Sequence, residues 1–117
     1  KKYEIPFNGK YSWLYAGEAA IAFITSVNKD LTGSHVFNLN GSCETIEYGL
    51  SLIKELNKEA NISCVDKSFP FPPDLDDLPL RNHIGDYPSI SVRKGIEDTY
   101  KAFESLKIEG KCPSLSE

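Results

Sequence analysis

The stretch from Gly33 to Asn61, GSHVFNLNGSCETIEYGLSLIKELNKEAN, constrains the fold more than any other part of the chain. Val36 to Leu39 is a short β-prone run that ends in Asn40-Gly41, a turn signal. Apolar residues then recur at Ile46, Leu50, Ile53 and Ala60, the spacing of one helix face. Thr45 can cap that helix through its hydroxyl, Glu47 suits the positive end of the helix dipole, and Asn61 is a natural stop. A strand, a tight loop and an amphipathic helix in succession predict a sheet with helices packed on it.

The flanking sequence extends this alternation. Residues 1–10 read as polar and irregular. Tyr11 to Tyr15, YSWLY, predicts an aromatic strand with Tyr11, Trp13 and Tyr15 on one face. Gly17-Glu18 opens a helix whose inward face is Ala20, Phe23, Ile24 and Val27. Ile62 to Val65 predicts a third strand. Residues 69–80, FPFPPDLDDLPL, then hold four of the seven prolines, which forces an extended, irregular segment from Phe69 to Pro73. A short helix follows to Ile84, with Pro79 tolerated in its first turn and Leu75, Leu78 and Ile84 facing in. Gly85 ends it. Ser91 caps a last helix carrying Val92, Ile96, Thr99, Tyr100, Phe103 and Leu106 on one side.

The expected architecture is α/β, with a small three-stranded, largely parallel sheet and packed helices over residues 1–108 and a flexible tail at 109–117. Three short strands make a thin sheet for a free-standing domain. Together with a start at Lys1 rather than Met, this reads as an excised piece that normally leans on a partner.

Charge and cysteine usage narrow the function classes. The 117 residues carry a net charge of −4 and no Lys/Arg cluster, which argues against nucleic acid or an anionic membrane as partner. No apolar run approaches the roughly 20 residues of a bilayer span. Cys43, Cys64 and Cys112 are odd in number and lack metal-ligand spacing, so free thiols in a reducing cytoplasm are expected.

Nothing in the sequence forms a catalytic constellation. Asp74, Asp76 and Asp77 are the densest carboxylate group, but they lack the Gly and distal Glu of a calcium loop and read as a solvated helix start. His35 and His83 have no acid or nucleophile at a recognisable spacing and read as structural. The candidates for contact with a ligand are the aromatic strand, Tyr11, Trp13 and Tyr15, and the stiff loop carrying Phe69, Phe71, Asp76 and Asp77. No catalytic, cofactor-binding or metal-binding residue is expected.

Four segments together resemble one family. YSWLYAGEAAIAFI is similar to the aromatic strand and Ala-x-Ala helix in the C-terminal part of extended short-chain dehydrogenases/reductases, through Trp13 to Tyr15, Ala20 and Ala22. GSHVFNLNG resembles the family's Gly-x-x-Val-Tyr-Asn-hydrophobic-Gly run, through Val36, Phe37, Asn38 and Gly41. Thr45-Ile46-Glu47 with Leu52-Ile53 is similar to its next helix. GDYPSISVRKGIEDTYKAF resembles the closing signature, through Gly85, Pro88, Val92, Gly95, Ile96, Thr99 and Phe103. The resemblance spans roughly residues 10 to 106. Where the family has an acidic pair and an Arg-Asp step, this chain has Gly17-Glu18 and Tyr11-Ser12.

What the resemblance implies is the C-terminal substrate-binding lobe of a Rossmann-type NAD(P)-dependent epimerase/dehydratase acting on a nucleoside-diphosphate sugar. The glycine-rich dinucleotide turn and the Tyr-x-x-x-Lys pair are absent from these residues. NAD or NADP is therefore implied for a parent protein and not for this chain. The implied partners are an N-terminal dinucleotide-binding domain and a sugar-type substrate, and the isolated piece is expected to self-associate. The alternative is a stand-alone, non-catalytic binding or scaffold module derived from the same lobe.

Overall fold

The computed structural model describes residues 1–30 and 32–111. It is a mixed α/β structure with four helices and two small sheets among those residues. In the first sheet, β1 (Tyr3–Ile5) pairs in parallel with β4 (Ile62–Cys64). In the second, β2 (Lys10–Trp13) pairs antiparallel with β3 (Ser42–Thr45). The helices are α1 (Ala16–Val27), α2 (Ile46–Leu56), α3 (Leu78–Ile84) and α4 (Val92–Ile108).

The single three-stranded, largely parallel sheet is thus replaced by two two-stranded ladders, one of them antiparallel. Two local events cause this. Val36 to Leu39 forms no strand, and Val36 is 96% exposed. Instead Asn40-Gly41 serves as the entry to β3. The Ser12 hydroxyl donates to Asn40 Oδ1 at 2.7 Å and accepts the Gly41 N–H at 2.9 Å. A Cβ on Gly41 would collide with the Trp13 carbonyl, so this approach of β3 to β2 needs glycine. Second, the leading segment expected to be irregular supplies β1, because Tyr3 N–H donates to the Asn61 carbonyl and Val65 N–H to the Ile5 carbonyl.

Helix boundaries follow side-chain chemistry. The Thr45 hydroxyl accepts from Tyr48 N–H at 3.2 Å and the Ser91 hydroxyl from Lys94 N–H at 3.3 Å, the caps expected from sequence. Helix α2 stops at Leu56, not Asn61. Asn57 turns extended and its side chain accepts from Glu59 N–H at 3.0 Å, a local bond that competes with helix continuation. Pro79 lies in the first turn of α3, where its missing N–H has no intrahelical partner to lose. Residues 109–111, expected to begin a flexible tail, instead close α4. Gly110 at φ 68° donates to the Lys107 carbonyl and Lys111 to the Leu106 carbonyl, a paired C-terminal cap. Cys112 and the remainder of the expected tail lie outside the described residues.

The core is small. Ala22, Leu80, Ile84 and Tyr87 form one buried cluster, with Phe37 and Leu39 packed against it. Ile46, Leu50, Leu52 and Val92 are also buried. In α3 the inward pair is Leu80 and Ile84, one turn apart, whereas Leu75 and Leu78 are exposed. In α1 the buried residues are Glu18 and Ala22, and the face expected to be inward points out. Phe23, Ile24 and Val27 are 69%, 61% and 84% exposed. An apolar helix with small residues on one side can bury only the side that fits its neighbour, and here that is the alanine side.

Candidate functional site

The structure gathers most of the residues singled out from sequence into one aromatic cluster. Tyr11 and Trp13 are two apart on β2 and so point to the same side. Their rings meet edge to face, with centroids 6.3 Å apart. Phe69 docks edge-on against Tyr11 at 5.0 Å, and Phe71 lies 5.2 Å beyond Phe69. Phe7, not foreseen, completes the group at 4.6 Å from Phe69. The Pro-rich loop is held in place by backbone bonds: Asn8 N–H donates to the Lys67 carbonyl at 2.7 Å and Phe69 N–H to the Asn8 carbonyl at 3.1 Å. Phe71 is 65% exposed and presents an open aromatic face.

Tyr15 does not join this cluster. Strand β2 ends at Trp13, and Tyr15 becomes the cap residue of α1. Its ring covers Gly17, and its side chain lies against Gly95 of α4. There it helps line an apolar cavity of about 540 Å³, whose walls include Trp13, Ile53, Ile96, Tyr100 and Phe103. Volume and lining fall within the range of small-molecule pockets. Trp13 therefore stands between two features, with its indole N–H donating to the Glu44 carbonyl at 3.1 Å and its ring over Gly49 of α2.

The carboxylates diverge. Asp74 Oδ1 accepts from Asn40 Nδ2 at 2.6 Å, and Asp76 Oδ1 accepts from Leu78 N–H at 3.0 Å. Asp77 sits in a latch: its Oδ2 accepts from Tyr87 Oη at 2.7 Å and from Arg81 Nε at 3.0 Å. Arg81 also donates to the Tyr87 carbonyl at 3.2 Å, with its guanidinium carbon 4.0 Å from the ring centre. Burial pushes the Asp77 carboxyl up, but the Tyr87 and Arg81 bonds outweigh it and hold it below the ordinary carboxylate range. Burial, then the Asp77 partner, pushes the Tyr87 hydroxyl up to about 12. Asp76 and Asp77 thus organise the start of α3.

Glu18, expected at the start of the first helix and in the place of the family's acidic pair, is the one buried charged side chain among the described residues. Its two oxygens accept from Tyr15 N–H at 3.3 Å and Ile90 N–H at 2.8 Å, tying α1 to the segment before α4. Its place three residues after the cap was the available signal.

Chemically the arrangement is suited to binding. Among the described residues every buried side-chain polar atom has a partner, and no three His, Cys, Asp or Glu side chains converge as a metal centre. Among the described residues no helix is long and apolar enough to cross a membrane. No protein-family model and no curated protein matches the chain.

Proposed function

We propose that this chain is the substrate-binding lobe of an NAD(P)-dependent epimerase/dehydratase-like protein of the extended short-chain dehydrogenase/reductase type, acting in the cytoplasm. The observation that carries the reading is the outward apolar face of α1, Ile21, Phe23, Ile24 and Val27. A surface of that chemistry is what a lobe exposes when the domain it leans on is elsewhere. The β-prone run at Val36 to Leu39, left without a strand partner, supports the same reading. A backbone of that composition, free to pair, suits the edge of a sheet supplied by a dinucleotide-binding domain.

In this reading the aromatic cluster of Tyr11, Trp13, Phe69 and Phe71 meets a sugar-type substrate, since flat aromatic faces stack on the apolar side of a pyranose ring. Hydride and proton transfer belong to the other domain, with its NAD or NADP. Calorimetric titration of NAD and NADP into the chain tests this division. No saturable heat is expected. Tight, stoichiometric binding would mean that a cofactor site exists within these residues and would overturn the proposal.

A further inference from the structure

We infer that His35 and His83 form a two-imidazole binding site for a divalent transition-metal ion of the zinc and nickel class. The inference is independent of the proposed function. The two rings come from different parts of the fold, one from the segment ahead of Phe37 and one from the last turn of α3. Their centroids lie 5.4 Å apart. Phe37 braces both, parallel to His35 at 5.8 Å and tilted against His83 at 4.7 Å.

Each ring has one nitrogen already spoken for. His35 Nε2 lies 2.8 Å from the Thr32 carbonyl, and His83 Nδ1 lies 2.8 Å from the Pro79 carbonyl. A carbonyl only accepts, so in the neutral rings these nitrogens carry the proton. The lone pairs are left on His35 Nδ1 and His83 Nε2. A backbone carbonyl behind the ligating ring is the usual device that fixes the tautomer of a metal-bound histidine.

The separation of the rings also fits. With metal–nitrogen bonds of about 2.0–2.1 Å, the ion lies roughly 3.2 Å from each ring centre, so a tetrahedral angle puts the centres about 5.2 Å apart. The observed spacing is close to that. Imidazole pairs favour zinc, nickel and copper over magnesium and calcium, which require oxygen. Asp74, Asp76 and Asp77 already accept hydrogen bonds from Asn40, Leu78 and the Arg81–Tyr87 pair. With two protein ligands the remaining positions fall to water, which leaves the ion open to an external ligand. Both histidines are exposed, so the ion can reach them without opening the core.

The experiment uses the chain stripped of metal with a chelator and dialysed, then given ZnCl₂ or NiCl₂. Thermal melts and equilibrium dialysis are run on the unaltered chain, on His35→Ala, on His83→Ala and on a Cys43→Ser/Cys64→Ser/Cys112→Ser variant. One ion per chain is expected, with a rise in melting temperature of roughly 5 °C at saturation. Either histidine substitution should weaken binding at least tenfold, while the thiol variant keeps it. Absence of binding overturns the inference. So does binding that survives either histidine change, or binding that disappears only with the thiols.

Discussion

Glu18 is the residue on which the most local order depends. It is 1% exposed and accepts from two backbone N–H groups, those of Tyr15 and Ile90. Glu18→Ala should cost about 2–4 kcal/mol, because it orphans both donors, whereas Glu18→Gln keeps one acceptor oxygen and should lose less. Urea unfolding of the two variants checks both the size and the order. The Asp77–Arg81–Tyr87 latch makes stability depend on pH at both ends of the scale. Asp77 has a lowered folded pKa, so its contribution is present above the ordinary carboxylate range and is lost as pH falls through and below it. Tyr87 is raised to about 12, so its contribution is full below about pH 10 and drains away between there and 12. Alkaline unfolding followed by circular dichroism should begin in that window, and Tyr87→Phe should flatten it while lowering stability at neutral pH.

At the scale of elements, α2 passes the Trp13 ring of β2 with no room for a side chain at Gly49. A Cβ on Gly49 would overlap the Trp13 ring, which is itself anchored through its indole N–H to Glu44. Alanine gains about 1 kcal/mol of helix propensity over glycine, but overpacking a braced indole costs about 1–3 kcal/mol. Gly49→Ala should therefore be neutral to destabilising by about 2 kcal/mol, and should shift the emission of the single tryptophan. An unchanged spectrum with a gain in stability would mean the ring moves freely. Trp13, Gly49 and the Thr45 cap show how one short junction sets strand pairing and helix placement together.

The whole molecule is more extended than its length requires. Its radius of gyration is 16.9 Å, against the about 13 Å typical of a compact chain of this size. Its exposed area is 8430 Å², against about 6,400 Å² expected for its mass. Self-association through α1 is the expected result at high concentration. Phe23→Lys with Val27→Glu should restore a monomer in light scattering, with little change in secondary structure, because both side chains are solvent-exposed. A monodisperse monomer of the unaltered chain would show that this face is tolerated in water.

Much of the local structure was decided by the sequence alone. Thr45 and Ser91 had to cap, Pro79 had to fall in a first turn, and the apolar spacing of α2 had to place Ile46 and Leu50 inward. The caps and the proline depend on bonds within a few residues, which any tertiary setting leaves in place. Strand identity was not legible in that way. Val36 to Leu39 has the better β composition, yet the ladder went to Ser42–Thr45, because strand pairing depends on which segment can reach Trp13. The outward turn of α1 was equally hidden, since an apolar helix offers several faces and only its neighbours choose among them. The candidate site divides along the same line. Tyr11 and Trp13 share a face because strands alternate, but Phe7, the latch on Asp77 and the meeting of His35 with His83 join residues distant in sequence. Such contacts are set by the path of the whole chain, and only the tertiary structure fixes that path.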